Sequence, residues 1–212
     1  MRPLPAGDQQ LVQIVDAALA EAVRRSGDWL ACRPGCTQCC VGVFTISALD
    51  ALRLQHGLLA LERSDPAAAE RVRERARESA LRLAADFPGD PVTGTLHKDP
   101  ASVARFEDFA NDEPCPALDP STGLCDLYSS RPLTCRTFGP PVRTEGGLGV
   151  CELCFQGATD EEVAACELRA DSDEREAELL KQLGDSCPDP NQTIVTFVLA
   201  GAPKSANDIL PI

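Results

Sequence analysis

Four cysteines fall within nine positions, Cys32, Cys36, Cys39 and Cys40 of the segment CRPGCTQCC, in a chain that carries eleven. Thiols this dense can pair with one another, be poised for redox or nucleophilic work, or hold a metal together. A soft dication takes four thiolates in a tetrahedron at about 2.3 Å, and a spacer of two to four residues lets one turn of backbone deliver two of them. Cys32/Cys36 and Cys36/Cys39 meet that spacing, as does Cys151/Cys154 in CELC. Cys39 and Cys40 are consecutive, and consecutive side chains usually diverge, so one of the two is expected to turn to a second centre or to packing. Three more cysteines, Cys115, Cys125 and Cys135, follow at ten-residue intervals.

The compartment bears on which chemistry these thiols do. MRPLPAGDQQ at the N-terminus has no apolar stretch of the kind a secretory signal needs, and no run approaches the roughly 18 apolar residues that cross a bilayer. A cytoplasmic protein with no membrane role is therefore expected. There the redox buffer keeps thiols reduced, which favours metal binding or catalysis over a disulfide framework, and an odd cysteine count leaves at least one thiol unpaired. The net charge of −13, from 33 acidic against 20 basic residues, repels phosphate backbones and anionic lipid, so no nucleic-acid partner is expected. The one basic run, ERVRERARES at 70 to 79, alternates Glu with Arg and reads as a solvated, ion-paired helix face.

The elements that must position these cysteines are helical. With 212 residues, 43% hydrophobic and 25% charged, the chain suits one domain with a real core. Leu11, Ile14, Val15, Ala18, Leu19, Ala22 and Val23 recur at helical spacing, with Asp8 as N-cap and Gly27 as stop. Ser47 and Asp50 open a second helix through Leu52, Leu54, Leu58 and Leu61, with Gly57 as an internal weakness. Asp65 and Pro66 open a third, ending near Pro88, so that residues 47 to 86 form a helical hairpin. From 87 to about 158 the chain is rich in Pro, Gly, Asp and Ser and reads as irregular, stapled from outside by metal. A capping box at Thr159 and Glu162 starts a helix to about Ala170, another runs from Asp173 to Leu183 with Gly184 as stop, and QTIVTFVLAGA, despite its β-branched content, is read as helix for want of a partner strand. The expected fold is mainly α with little or no sheet, a single metal-binding domain over 1 to 212 whose C-terminal helices occupy about 160 to 200.

The segment from Cys115 to Arg136 then adds a pattern: Cys-Pro-x-Leu, followed by Cys-x-x-Tyr-x-x-Arg-Pro-x-x-Cys-Arg. Together with an opening cluster that ends in CC, it resembles the YkgJ-like cysteine-cluster family, CxxCxxCC, a zinc- or iron-chelating domain. The resemblance implies that Cys32, Cys36, Cys39, Cys40, Cys115, Cys125 and Cys135 are seven of that family's eight cysteines, with Cys151 or Cys154 as the eighth. It also implies framework positions at Tyr128, Arg131, Pro132 and Arg136. The chain departs from the family shorthand in one place, with three residues, Arg33, Pro34 and Gly35, between its first two cysteines instead of two.

Chemistry and resemblance agree on ligands without naming the metal. Four thiolates around Zn(II) leave a local charge of about −2, which wants donors and cations nearby, and Arg131 and Arg136 flank Cys135. Iron-sulfur clusters are held by the same ligands, a 4Fe-4S cluster among them. A non-catalytic zinc or iron protein is the reading adopted, and an electron-transfer or redox-sensing iron-sulfur protein is its alternative. Cys32, Cys36 and Cys39 also look like the cluster motif of radical S-adenosylmethionine enzymes, but a helix precedes them and no series of strand-helix units follows. CELC as a dithiol oxidoreductase lacks the preceding strand. Tyr128 reads as a packed ring, and His56 and His97 as surface or capped residues. Cys166 faces the core as a small hydrophobe, and Cys187 lies in a turn.

Overall fold

The computed structural model describes residues 2–144, 146–170, 173–183 and 191–201. The helices among them are α1 (Asp8–Ser26), α2 (Ala48–Ser64), α3 (Pro66–Leu83), α4 (Pro100–Glu107), α5 (Leu133–Thr137), α6 (Asp160–Ala165), α7 (Asp173–Gln182) and α8 (Val195–Ala200). The strands are β1 (Ile46–Ser47), β2 (Gly89–Asp90), β3 (Thr95–Leu96), β4 (Leu118–Asp119), β5 (Leu124–Cys125), β6 (Val142–Thr144), β7 (Gly147–Gly149) and β8 (Asn191–Thr193), in antiparallel pairs β1-β8, β2-β3, β4-β5 and β6-β7. Among the described residues, at 52% helix against 10% strand and with no ladder wider than two strands, the fold is mainly α. It divides into two compact units, an α1 unit of residues 1–34 with 133–187 and a hairpin unit of 35–132 with 188–212.

In the hairpin unit, α2 starts where Ser47 Oγ accepts the Asp50 amide at 3.2 Å. Asp50 itself pairs at 2.6 Å with Arg53, both side chains buried on α2. Asp65 ends one helix and begins the next: its amide reaches Leu61 O at 2.7 Å, while its Oδ1 accepts the Ala68 amide at 2.9 Å. A one-residue joint of this kind folds α2 and α3 back on each other, and Leu54, Leu58, Ala69, Val72 and Ala76 close a common core with Ile46, Ala117, Leu127, Val195 and Leu199.

The segment QTIVTFVLAGA corrects the expectation of one helix. Its start is β8, paired with β1, and α8 begins only at Val195 to lie against α3 and α2. The partner strand is two residues long and sits immediately before the α2 cap, too short to show a period of its own. The region after Pro88 is also more ordered than its composition suggests. Asp99 caps α4 by accepting the Ser102 amide at 3.0 Å, and Phe87, Leu96, Phe109, Ile194, Phe197 and Leu83 form a second core, with the Phe87 and Phe197 rings 4.5 Å apart. Residues 87 to about 110 are thus held by aromatic packing and not by an external staple.

In the α1 unit, Gly7 takes the N-cap position at φ 104, and Asp8, the expected cap, is instead the first helical residue. The left-handed glycine turns the chain out of Pro5, whose carbonyl accepts the Asp8 amide at 3.2 Å. Gly27 ends the helix as expected. α1 packs against α5 and α7. The Thr159–Glu162 capping box is present, but α6 stops at Ala165 instead of about 170, because the Leu168 amide is taken by Pro141 O at 2.7 Å. The expected stop at Gly184 and the turn at Cys187 lie outside the described residues.

Candidate metal centre

The hairpin unit brings one set of cysteines together through backbone pairing. A 3-10 turn at Gln38–Cys40 closes with the Cys40 amide on Thr37 O at 2.8 Å. The chain leaving it runs antiparallel to residues 110–115: the Cys115 amide meets Cys40 O at 2.7 Å, the Gly42 amide meets Glu113 O at 2.9 Å and the Val43 amide meets Ala110 O at 3.2 Å. Cys115 then leads into the β4-β5 hairpin, in which Leu118 faces Cys125. The Asp119 side chain shapes its turn by accepting the Ser121 amide at 2.9 Å. A Cβ at Gly123 would lie 3.6 Å from Gly35 Cα and 3.7 Å from Thr37, so the loop carrying Cys36 rests on the turn that precedes Cys125.

Arg75 on α3 clamps the hairpin. Its Nε donates to Pro116 O at 2.9 Å and its terminal nitrogen to Asp126 at 2.6 Å, gripping the residues that follow Cys115 and Cys125. By its place in the Glu/Arg alternation, Arg75 is expected to be one more member of a solvated face. Its neighbours bear that reading out, with Arg73 on Glu62 and Arg77 on Glu70, and nothing in the Glu/Arg alternation singles Arg75 out.

Beyond Cys125, Tyr128–Ser130 forms another 3-10 turn, and the Arg131 guanidinium lies 3.8 Å above the Tyr128 ring. Tyr128 is 63% exposed, which corrects the expectation of a packed ring; the stacked cation, not burial, holds it. Gly57 explains how the turn fits: a Cβ there would stand 2.3 Å from Ser130 Oγ, so only glycine lets α2 and this turn approach so closely.

The thiols share one electrostatic neighbourhood. Cys39 and Cys40 do not diverge as expected but hydrogen bond to each other, an arrangement allowed by the tight 3-10 turn they occupy. The Cys40 thiol's hydrogen bond lowers Cys39 to about 6 against the opposing effect of burial, with its own backbone amide and the Arg131 charge assisting. Cys40 is raised by that same hydrogen bond, by burial and by the negative charge of Cys39, Cys115 and Cys125. Burial pushes Cys115 up to about 12, against hydrogen bonds from the Ala117 and Leu118 amides. Burial likewise raises Cys125, against the Leu127 amide and Arg131. The Cys115 and Cys125 sulfurs, supplied with backbone donors yet kept from ionising by burial and neighbouring negative charge, suit a thiophilic cation, which deprotonates the thiols it binds. Among the described residues no three Cys, His, Asp or Glu side chains stand close enough together to hold an ion as placed, so the fit lies in the donor set and its surroundings.

The α1 unit holds the other expected ligands. Cys151 and Cys154 are buried on one turn, the Cys154 amide on Cys151 O at 2.9 Å. They lie with buried Cys166 in a cluster against Trp29, Leu30 and Ala31, as expected of Cys166. Cys135 lies on α5. The next residue, Arg136, is 5% exposed and donates to both carboxylate oxygens of Asp16 at 2.9 Å.

A family model described as "CxxCxxCC: Putative zinc- or iron-chelating domain" matches residues 31–154, more than half of the chain. The chain belongs to this family of cysteine-cluster, zinc- or iron-chelating domains. No curated protein and no solved structure matches it. No helix among the described residues is long and apolar enough to cross a membrane.

Proposed function

We propose that the hairpin unit is a non-catalytic metal-binding module in which Cys36, Cys39, Cys115 and Cys125 hold one zinc or iron ion, with the Cys40 thiol donating to Cys39 and Arg131 balancing charge. The observation that carries this reading is the 2.7 Å pairing of Cys115 with Cys40, which draws two cysteine loops 75 residues apart in sequence into one neighbourhood. Cys36 and Cys39 have the two-residue spacer of a thiolate knuckle, and the Cys115 and Cys125 sulfurs accept backbone amides, which orients ligands and disperses the charge of a tetrathiolate. An iron-sulfur cluster is the second reading, supported by the contact between Cys39 and Cys40: neighbouring thiolates can serve different irons of a cluster more readily than one tetrahedral ion. The reduced cytosol is the compartment in which such thiols remain available.

Anaerobic purification followed by elemental analysis and visible spectroscopy tests both. Colourless protein that loses metal on Cys36→Ser and keeps it on Cys40→Ser supports the single ion. Brown protein with inorganic sulfide, bleached by Cys40→Ser, supports the cluster. Undiminished metal content in both Cys115→Ser and Cys125→Ser refutes the site altogether.

A further inference from the structure

We propose that the α1 unit carries a thiolate metal centre of its own, built from Cys32, Cys135, Cys151 and Cys154, with a ligand set that shares no residue with the hairpin unit's. The division of the chain places these four cysteines in one compact unit and Cys36, Cys39, Cys40, Cys115 and Cys125 in the other. Within the α1 unit, contacts along the backbone join the segments that carry them. The Phe155 amide on Trp29 O at 2.8 Å fastens the Cys151–Cys154 turn to the segment that leads into Cys32, and the Trp29 and Phe155 rings stack at 6.4 Å across that junction. On the other side of Cys32 is Gly139, two residues beyond α5. At φ +115 it presents a bare backbone, where a Cβ would come within 2.8 Å of Cys32 Sγ. α5, which carries Cys135, is anchored on α1 by Arg136 and Asp16 at 2.9 Å.

A buried cysteine ordinarily counts as a small hydrophobe, and Cys166 in the same cluster fills that role. Cys151 and Cys154 differ from it in sitting on one turn with two residues between them, the spacing by which a single turn delivers two thiolates to a dication. Gly139 lies so close against the Cys32 sulfur that a side chain there would collide with it. Four thiolates from three chain segments complete the coordination number of a closed structural site, and a soft dication such as zinc is the ligand class that takes them.

Zinc alone is the probe. The reduced full-length chain, loaded with zinc anaerobically and freed of excess by gel filtration, is expected to retain two ions. The Cys151→Ser/Cys154→Ser and Cys115→Ser/Cys125→Ser double variants should retain one each. One ion in the parent that persists in the Cys151/Cys154 variant overturns the proposal. One ion lost in that variant but kept in the Cys115/Cys125 variant would instead overturn the hairpin assignment and leave this one standing. Should a variant fail to fold, alkylation of the parent read by mass spectrometry decides. Cys32, Cys135, Cys151 and Cys154 are expected to be labelled only after zinc is stripped, while Cys166 stays protected as long as the fold persists; labelling of the four that is indifferent to zinc overturns the proposal.

Discussion

Two residues of the hairpin unit, Gly57 and Arg75, reach further than their local pattern suggests. Gly57 leaves no room for a methyl group, with Ser130 Oγ and Cβ 2.3 and 2.4 Å from where its Cβ would stand. Gly57→Ala is therefore expected to destabilise the protein by about 1 to 3 kcal/mol despite the better helix propensity of alanine. Because Ser130 adjoins Arg131, it should also weaken metal retention in competition with a chelator. Ser130→Gly in the same chain should recover much of the loss and Ser130→Ala should not, since the clash involves Cβ; thermal melts of the three variants check this. Arg75→Lys keeps the charge but cannot serve Pro116 O and Asp126 together as a planar guanidinium does, so it should cost about 1 to 2 kcal/mol, and a variant as stable as the parent would remove Arg75 from its clamping role. Sequence patterns read Gly57 as a helix weakness and Arg75 as a solvated charge, because both owe their meaning to residues more than 40 positions away.

Among the elements, the irregular middle of the chain separates into two kinds. Residues 87 to 110 rest on Phe87, Phe109 and Phe197, whereas 111 to 132 rest on short ladders, turns and the cysteine loops. On metal removal, amide exchange should quicken across 36 to 43 and 111 to 132 and stay slow near Phe87 and Leu96; uniform loss of protection from 87 to 132 would show that the aromatic core depends on the metal. The caps at Ser47, Asp65 and Thr159, and the stop at Gly27, were legible in sequence because each is a bond between near neighbours. The early end of α6 was not, because Pro141 competes from 27 residues away. Glu167, just past that end, accepts two bonds from Arg143 at 2.7 and 3.0 Å and one from Arg169 at 3.3 Å, while Arg25 donates to its carbonyl at 2.6 Å. The Arg143 hydrogen bond, followed by its charge, holds the Glu167 carboxyl below its ordinary value. A carboxylate depressed by folding contributes stability that is present above the unfolded-state pKa and lost as pH falls through the folded one. Glu167→Gln should thus lower stability at neutral pH and reduce the acid sensitivity of the α1 unit below about pH 4.5, measured by pH-dependent melting.

For the molecule as a whole, the cysteine pattern revealed the family and the kind of ligand, while the distribution of the cysteines over two units was invisible in one dimension: Cys32 and Cys36 are four positions apart and belong to different units. Helices α2, α3 and α8 have their own apolar core, so stripping metal should leave much of the helical circular dichroism while lowering the melting temperature. A structural tetrathiolate ion can contribute about 10 kcal/mol of apparent binding energy, comparable to the stability of an ordinary domain. A melting temperature unchanged by chelator would show that packing alone holds the cysteine loops.

The hairpin unit takes β8 and α8 from beyond residue 190, with Val195 and Leu199 completing the core that holds Ile46, and Phe197 the core that holds Leu83 and Phe87. Biosynthesis is vectorial, so Cys36 to Cys125 leave the ribosome well before the residues that finish their unit. During that interval the thiols and the apolar flanks of α2 and α3 are without their final cover. A nascent chain halted at residue 190 should accordingly be alkylated readily at these cysteines and captured by chaperones, and extension past α8 followed by release should end both. Metal loading of this unit, as proposed above, is then expected to follow translation, once its closing helix has arrived.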